Sequence, residues 1–528
     1  MTLLRAATSI SALTLVSRIL GLVRDATMAW LVGVNWVSGA FVLAWMIPNL
    51  FRRLFGEGAL AAAFIPAFTQ ARARDGDDAA RRLLAGVTGA LTVTLVGLVV
   101  LVIVLSFTMP REIIGLQGAT DVSAAEQGAL IWELTRLLFP YVLPICLLAT
   151  YAGALNALGV FAPTAAAPVL LNLFWIGGLL YAAQGDRTLP QIAHAVATSL
   201  LTGGFVQLSL ALVPLWRRGM LPAPRWPRRG DGTREVFLKM APAAIGLSIV
   251  QFNLLLDQAL AEVLVGPGSD YHIYLANRLV LFPHALVAIP LATAVFPSLA
   301  KLVGDRVRLA RVLGRSVRYT LFLSLPAAIG MALVAGPLID LVFVGGRYMD
   351  DDAVTTGWTT IALVSGLPAL GVGQLYARAL FAIGDTKTPS RVAVAFVALN
   401  VVANLVLVLG LGLGVPGFTM ATTACSIGNA LVLRRAVRQR GFVDDHASHS
   451  IVRSLIACAS MAAALAATNA SLPVAESKFE IAAFGILVPV FVGIVSFLIV
   501  AALLRVPELE EFRAWLAARR HSTRTNSM

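Results

Sequence analysis

Charged residues are scarce in this sequence. Only 13% of its 528 residues are Asp, Glu, Lys or Arg, whereas 58% are hydrophobic and the mean hydropathy is +0.82. About a quarter of the residues of a typical soluble domain are charged, so this composition excludes a soluble globular protein. The sequence therefore predicts a polytopic membrane protein.

Cysteine and histidine are also rare, with three and six copies. Cys146, Cys425 and Cys458 lie singly within apolar runs, and no Cys or His residues have the spacing of metal ligands. No stretch of sequence brings together a nucleophile, a base and an orienting group. The sequence thus favours a protein that is not an enzyme, and we interpret the cysteines as packing residues.

Long apolar runs dominate the chain, and those of about 20 residues match a hydrocarbon core ~30 Å thick. Fourteen such runs lie near residues 6–30, 37–54, 83–108, 128–155, 161–183, 192–216, 241–264, 271–297, 317–338, 355–382, 392–412, 415–433, 452–470 and 480–504. This pattern predicts an all-α fold with fourteen transmembrane helices.

Acidic residues are outnumbered by basic ones, 28 to 41, which gives a formal charge of +13. The basic residues concentrate in one set of alternate loops, and the other set holds only Arg111, Arg187, Arg347 and Lys478. Because Lys and Arg in short loops are retained on the cytoplasmic side, both termini are predicted to be cytoplasmic. Topology and anionic lipid heads explain the positive charge, so no nucleic-acid partner is expected.

Two segments of the chain repeat. Residues Tyr151–Gly159, at the end of the fourth run, and Tyr376–Gly384, at the end of the tenth, are identical at six of nine positions. Residues 61–66 and 292–297 match at nearly the same offset. Runs one to six and seven to twelve therefore read as two six-helix lobes. Because six is even, the two lobes share one orientation, which predicts a cavity between them at mid-membrane depth.

The predicted organisation follows from this repeat and from the basic loops. It comprises an N-lobe (residues 1–216), a basic cytoplasmic linker (217–240), a C-lobe (241–440), two extra spans (441–505) and a cytoplasmic tail (506–528).

Arginines interrupt several of the apolar runs. Arg18 and Arg24 lie in the first run, Arg52 at the cytoplasmic end of the second, and Arg278 in the eighth. An arginine at mid-membrane costs roughly 2.5–3.5 kcal/mol by insertion scales, so it usually faces a water-filled cavity, a carboxylate or an anionic ligand. These arginines predict a cationic cavity.

Few acids are available to neutralise these arginines. Asp25 is predicted to pair with a neighbouring arginine, and Glu133 with Arg136, three residues away. The positive charge that remains suits a substrate with phosphate or diphosphate, bound by forked, charge-assisted hydrogen bonds.

The arginine motifs and their neighbours resemble those of a known family. The matching residues are Ser17-Arg18, Gly21, Arg24-Asp25, Pro48-Asn49, Arg52-Arg53, Phe55-x-Glu57-Gly58-Ala59, Phe64-x-Pro66, Asn277-Arg278, Phe282-Pro283 and Lys387-Thr388-Pro389. Together they are similar to the MurJ (MviN) family of lipid II flippases, within the multidrug/oligosaccharidyl-lipid/polysaccharide exporter superfamily. The resemblance extends from Leu3 to about Arg505.

The resemblance implies fourteen helices, arranged as two parallel six-helix lobes plus two extra helices that form a lipid groove. It implies that lipid II, a peptidoglycan precursor, crosses from the inner to the outer leaflet of the bacterial cytoplasmic membrane by alternating access. The expected partners are lipid II and membrane lipids, and the protein is expected to act as a monomer in peptidoglycan biosynthesis.

The family pattern also implies roles for individual residues. Its substrate-binding arginines fall on Arg18, Arg24, Arg52 and Arg278, and its supporting or gating residues on Ser17, Asp25, Glu57 and Asn277. Many members have Asp at the positions of Gly39 and Asn277 and Glu at that of Leu281, and these acids pair with arginines near the outer gate. We therefore expect the closed outer gate of this chain to rest on other contacts.

Some members carry a sodium site, whose positions here are Asp257, Asn400, Asn404 and Thr422. Asn404 replaces a second acid. Sodium as coupling ion, protons or membrane potential alone, and a purely structural Asp257 all remain open, and no other cofactor is expected.

Three alternatives to a lipid II flippase remain open, two of them transporters of other cargo and one an enzyme. An exporter of another polyprenyl-linked saccharide would use a similar cavity, whereas an ion-coupled drug exporter would need acids in it. A membrane enzyme acting on the same lipid would need clustered acids or histidines at a membrane face. The arginines favour the flippase.

Overall fold

The computed structural model describes residues 3–52, 59–109, 123–223, 225–226, 228, 231–284, 302, 305–442, 447–473 and 477–514. Every regular element among these residues is a helix, which confirms the all-α class. Their contacts group the chain into two compact units, Met1–Tyr271 with Gly345–Met349, and His272–Val344 with Asp350–Met528.

The first unit contains eight α-helices and a short 3-10 turn. They are α1 (Leu3–Val32), α2 (Trp36–Phe51), α3 (Ala59–Thr108), α4 (Ala124–Leu138), the turn Phe139–Tyr141, α5 (Val142–Ala157), α6 (Ala162–Ala183), α7 (Leu189–Arg217) and α8 (Thr233–Leu264). Helix α3 consists of two helices joined across Gly76, whose φ is +80°.

Helix α9 (residues 269–284) begins in the first unit and continues into the second. The second unit also contains α10 (Arg306–Val342), α11 (Asp350–Ser365), α12 (Leu367–Ala382), α13 (Lys387–Leu405) with a π turn (Val406–Gly410), α14 (Gly414–Gln439), α15 (Ala447–Ser471), α16 (Lys478–Glu480) leading through the π turn Ile481–Leu487 into α17 (Val488–Leu503), and α18 (residues 507–514).

All fourteen predicted apolar runs contain helical residues. Among the described residues, nine helices are long and apolar enough to cross a membrane. The count of fourteen spans stays a prediction. The predicted lobe boundaries also stay predictions, because the contacts place α8 in the first unit, whereas the sequence assigned residues 241–440 to the C-lobe.

A short turn sets the relation between α1 and α2. Gly33 ends α1 with a φ of +76°, and a Cβ there would lie 2.5 Å from the Arg347 carbonyl oxygen, so only glycine fits. Asn35 then begins α2 as its N-cap, because its side chain accepts hydrogen bonds from the backbone N–H groups of Val37 and Ser38, at 2.9 and 3.2 Å.

Aromatic side chains pack the centre of the first unit. The Trp175 ring of α6 lies 5.4 Å from that of Phe41 and 5.2 Å from that of Trp45, both on α2. Tyr141 packs against Trp45, and its hydroxyl donates a 3.0 Å hydrogen bond to Gln207 on α7. This cluster fixes α6 against α2 and so positions Trp175.

The repeated segments end in the same local structure. Helix α5 ends before Gly159, whose φ is +75°, and α12 ends before Gly384, whose φ is +85°. In each case, the backbone N–H of the residue after the glycine donates a hydrogen bond to a carbonyl in the last turn of the helix. Val160 donates to Leu155, and Asp385 donates to Leu380. This is the Schellman arrangement that glycine favours at helix ends.

The same ending recurs one hairpin later in each half. Gly219 follows α7 with a φ of +65°, and Gly441 follows α14 with a φ of +78°. Met220 then donates to the Leu215 carbonyl, and Phe442 to the Val437 carbonyl. The local structures support the internal repeat that the sequence indicates.

Helix α18 is held to the second unit by two carboxylates. Glu508, which is 2% exposed, accepts hydrogen bonds from Arg318 of α10, at 3.1 Å, and from Ser450 of α15, at 2.6 Å. Glu511 accepts from Tyr319 and Arg315 of α10, each at 2.6 Å. The first turns of the predicted tail are therefore packed against α10 and α15.

Candidate functional site

Arg24 lies deep in the first unit, with 4% of its surface exposed. Its Nε and Nη2 donate to one oxygen of Asp25, at 3.0 and 2.7 Å, and its Nη1 donates to the Asn172 side chain at 3.1 Å. The guanidinium also lies 4.2 Å from the centroid of the Trp175 ring. The predicted pairing of Asp25 with a neighbouring arginine is confirmed.

Asn172 connects two parts of α1. Its Nδ2 donates a 2.8 Å hydrogen bond to the Ser17 carbonyl oxygen, while its Oδ1 accepts from Arg24. Asn172 and Trp175 were missed at the level of sequence, although a lone asparagine in the apolar run 161–183 was an available signal. Breaking a buried ion pair by removing one partner costs about 3–5 kcal/mol, so Arg24 needs an anionic partner for as long as it stays buried.

Arg18 and Arg52 differ from Arg24 in exposure. Arg18 is exposed on α1, roughly 9 Å from Arg24 along the axis by helix rise. Arg52, which is half-buried, follows α2, and its Nε donates a 3.0 Å hydrogen bond to Asn49. Both residues belong to the first unit with Arg24. Glu57 lies outside the described residues.

Arg278 and Asn277 lie on α9 in the second unit. Arg278 is half-buried, and its Nη2 donates to the Tyr274 hydroxyl at 3.0 Å, with the guanidinium 4.9 Å from that ring's centroid. The Asn277 side chain donates to the Ile273 carbonyl one turn earlier, at 3.0 Å. The substrate-binding role of all four arginines stays a prediction.

The residues of the predicted sodium site divide between the units. Asp257 is buried in the first unit and accepts a 3.4 Å hydrogen bond from Asn253. In the second unit, Asn404 donates to Asn400 and Asn400 donates to Thr422, both at 3.3 Å. Within the described residues, no three acids, histidines or cysteines form a metal-binding group. The sodium site stays a prediction.

Glu133 and Arg136 do not form the pair that their spacing predicts. Glu133 lies 3.3 Å from His194 on α7. Arg136 instead donates to the Ser106 carbonyl and lies over the Phe107 ring, 4.5 Å from its centroid. Partners on adjacent helices replace the predicted contact within one helix.

At Gly39, for which the family resemblance implies Asp, the space for a side chain is filled by an acid from another helix. A Cβ on Gly39 would lie 2.3 Å from Glu262 Oε1 and 3.0 Å from Asp270 Oδ1. Both carboxyls are fully buried. The Glu262 side chain therefore fills the space that a side chain at position 39 would need, a relation that sequence reasoning missed although Glu262 is an acid inside an apolar run.

Long apolar helices and arginines within them define the class of this protein as an all-α membrane transporter. The family described as "Lipid II flippase MurJ" matches residues 28–483. The chain therefore belongs to the MurJ family. By family it is a lipid II flippase, a multi-pass transporter of the bacterial inner membrane and not an enzyme, as the sequence predicts.

Named relatives agree with this assignment. The "Probable lipid II flippase MurJ" of Vibrio cholerae is 32% identical over 448 residues, 83% of each chain. That of Rhizobium meliloti is 33% identical over 471 residues, 88% of this chain and 86% of its own. The "Lipid II flippase MurJ" of Burkholderia cenocepacia is 31% identical over 459 residues, 84% of this chain and 85% of its own.

Solved structures show the same fold. An inward closed conformation of lipid II flippase MurJ matches with a TM-score of 0.76 and 22% identity, over 94% of this chain and 98% of that one. An inward-facing multidrug resistance MATE family transporter of the MOP superfamily matches with a TM-score of 0.62 and 16% identity, over 80% and 94%. Both likenesses concern the fold.

Proposed function

We propose that this protein carries lipid II from the inner to the outer leaflet by alternating access, and that Arg18, Arg24, Arg52 and Arg278 bind its diphosphate. The observation that carries the proposal is Arg24, an arginine buried in an apolar helix and held by one carboxylate oxygen. A diphosphate can accept the same forked hydrogen bonds as Asp25. Lipid-diphosphate binding is therefore an exchange of anions at Arg24.

Burial sets the order of events at this site. Arg24 is 4% exposed and paired, whereas Arg18, about one and a half turns away on α1, is exposed. Arg18 can attract the diphosphate before Arg24 is uncovered. Movement of α6, which carries Asn172 and Trp175, or of α1 then exposes Arg24 and lets the substrate replace Asp25.

The setting of the transporter completes the proposal. The excess of basic residues in one set of loops supports cytoplasmic termini, and we assign residues 441–505 to the groove through which the lipid tail enters. The protein works as a monomer with lipid II and membrane lipids as partners, and without nucleic acid. Asp257 is the carboxylate that binds the coupling ion, with sodium as the first candidate and protons as the second.

Transport by arginine variants tests the proposal. Lipid II accessibility at the outer leaflet is measured in cells depleted of the native protein and supplied with Arg24→Ala, Arg24→Lys or the control Arg187→Ala. Arg187 is bound to backbone carbonyls at the end of α6, away from these four arginines in sequence. Loss of charged hydrogen bonds of about 1.5–3 kcal/mol predicts transport reduced about tenfold or more.

Arg24→Lys should recover part of the activity, because lysine keeps the charge but lacks the fork. Membrane insertion of each variant is checked by its abundance and thermal melting in detergent. Full transport by a properly inserted Arg24→Ala protein would contradict the proposed diphosphate site.

A further inference from the structure

Two buried carboxyls, Glu262 and Asp270, meet beside Gly39 in the first unit. Glu262 lies on α8 and Asp270 in the first turn of α9, and both are 0% exposed. A Cβ on Gly39 would lie 2.3 Å from Glu262 Oε1 and 3.0 Å from Asp270 Oδ1, so both acids face the same point on α2. We call these two residues the carboxyl pair.

Glu262 is surrounded by donors. Gln127 of α4 donates to Oε1 at 2.8 Å, and the Gly268 N–H lies 2.9 Å from both oxygens. The Asp270 N–H donates to Oε2 at 3.4 Å. A carboxylate that accepts several N–H hydrogen bonds is stabilised in its ionised form, so Glu262 carries the negative charge of the pair.

Asp270 has the opposite environment. Within the described residues, neither of its carboxyl oxygens has a hydrogen bond of normal geometry from an N–H or O–H donor. The Glu262 carboxyl lies beside it, because Glu262 Oε1 and Asp270 Oδ1 lie 2.3 and 3.0 Å from the same Cβ position at Gly39. An ionised Asp270 would therefore be a buried charge without a donor next to another negative charge, an arrangement that proteins avoid by protonation.

Other ionisable groups on the surrounding helices are engaged elsewhere. Helix α2 carries none. The charged residues of α4 and α8 nearest in sequence contact other groups, namely Glu126 with Ser123, Glu133 with His194, Arg136 with Ser106 and Phe107, and Asp257 with Asn253. Of the residues that follow Asp270, Tyr271 is a phenol and His272 contacts Thr356. Within the described structure, no cationic side chain forms a salt bridge with the pair.

We propose that Glu262 and Asp270 form a proton-binding site, in which Asp270 carries one proton and donates a hydrogen bond to the ionised Glu262. The pair then has a single negative charge, which the Gln127 side chain of α4 and the Gly268 N–H stabilise at Glu262. Loss of the proton places two negative charges in contact, which repel and loosen the packing of α8 on α2. The ligand is a proton rather than a metal ion, because the N–H groups around Glu262 would oppose a cation.

Infrared spectroscopy of the purified protein tests the site directly. A protonated carboxyl group and an ionised one absorb at different infrared frequencies. The difference spectrum, wild type minus Asp270→Asn, should therefore contain a carboxylic acid C=O band at neutral pH. The control Glu133→Gln, which replaces an exposed acid on α4, should leave that band unchanged. Absence of the band from the difference spectrum would overturn the proposal, as would a band displaced by added Na⁺, K⁺ or Ca²⁺.

The pH dependence of thermal unfolding gives a second measurement. The folded protein holds a proton that an unfolded aspartate releases near its ordinary pKa of about 3.9. The stability of the folded protein should therefore fall as pH rises above that value, until the folded pair itself releases the proton. The ratio of folded to unfolded protein should drop by up to tenfold per pH unit over this range. Asp270→Asn should remove this slope, and an unchanged slope would contradict the proposal. Should Asp270→Asn not fold, Glu262→Gln is compared with the wild type by infrared spectroscopy. It removes the carboxylate that accepts the Asp270 hydrogen bond, so the carboxylic acid band should move, and an unmoved band would overturn the proposal.

A consequence for transport rests on the proposed function. Lipid II transport by the wild type should depend on pH, and transport by Asp270→Asn should persist with that dependence lost. Equal pH responses in both proteins would overturn the role in transport. The infrared and melting measurements test the proton site without any transport. Failure of the proposed flippase activity would be recognised separately, because the wild type itself would then be inactive.

Discussion

Asn172 is 148 residues from Arg24 in sequence, yet its side chain completes the arginine's surroundings. The pairing of Arg24 with Asp25 could be predicted because the two residues are adjacent. Asn172 and Trp175 could not, because they reach Arg24 only when α6 packs on α1. Glu262 was missed for the same reason, since its relation to Gly39 depends on the packing of α8 against α2. Sequence identified the charged residues, and tertiary packing supplied their partners.

Replacement of Asn172 tests the structural part of this cluster. Asn172→Ala leaves the Ser17 carbonyl without this donor and Arg24 Nη1 without this acceptor. Losing such buried hydrogen bonds costs about 1–3 kcal/mol, so the melting temperature in detergent should fall clearly. Asn156→Ala is the matched control, because Asn156 accepts only a 3.4 Å hydrogen bond from Thr164. Equal melting of the two variants would show that Asn172 does not support α1.

A double-mutant cycle tests the fit between Gly39 and Glu262. Gly39→Ala places a methyl group 2.3 Å from Glu262 Oε1, and overpacking of this kind costs typically about 1–3 kcal/mol. In a Glu262→Ala background the shortest contact is removed and Asp270 Oδ1 at 3.0 Å remains, so Gly39→Ala should cost less than in the wild type. Thermal melting of the wild type, both single variants and the double variant gives the coupling. Strictly additive effects would mean that the two positions do not touch.

At the scale of elements, helix ends were more predictable than helix contacts. The repeat that pairs Tyr151–Gly159 with Tyr376–Gly384 was visible in sequence, and both copies end in the same glycine turn. The matching turns at Gly219 and Gly441 are hard to predict from sequence, because the arginine before each glycine is the one identical neighbour and the likeness lies mainly in the backbone. Glycine spacing at helix ends is therefore a better signal of this repeat than side-chain identity.

A glycine substitution tests one of these turns. Gly384→Ala forces a residue with a Cβ into a φ of +85°, which should cost about 1–2 kcal/mol. Gly357→Ala on α11 is the control, because a Cβ there would meet nothing within 4 Å and alanine favours helix. Melting should be lowered by the first substitution and unchanged or raised by the second. The reverse order would contradict the assigned turn.

The loop between α12 and α13 should also give the protein a response to acid. The pKa of Asp385 is lowered by the Thr388 backbone N–H, then by the Thr388 hydroxyl and by Arg440 of α14. Because the pKa of Asp385 is lowered in the folded state, the ionised side chain stabilises the fold at pH values above the ordinary pKa of about 3.9. This stabilisation is lost as pH falls below that value. For a partly exposed pair, the contribution is about 0.5–1 kcal/mol.

Melting of the wild type and Asp385→Asn between pH 3 and 6 checks this response. The wild type should be the more stable protein at pH 6, and the difference should shrink at the acid end. A difference that grows as pH falls would exclude this ion pair as its source.

At the scale of the whole molecule, composition was the strongest signal, because 58% hydrophobic residues leave few alternatives to a membrane protein. The arginine motifs then identified the family, which matches residues 28–483. The boundary between the lobes was harder to predict from sequence, because α8 continues the apolar pattern of its neighbours. Its packing, which the sequence does not reveal, groups it with the first unit. The predicted sodium-site residues Asp257 and Asn400 are 143 residues apart in sequence, so sequence proximity alone carries no information about such a site.

The contacts between α18 and α10 have a consequence for folding during synthesis. Arg318 and Tyr319 bind Glu508 and Glu511, which follow them by 190 and 192 residues. At about 5–20 residues per second, the ribosome delivers those acids roughly 10–40 s after α10. During that interval the basic end of α10 has no acidic partner from this helix. The contacts that hold α18 to the second unit can therefore form only after residue 511 has been made, long after α10 itself.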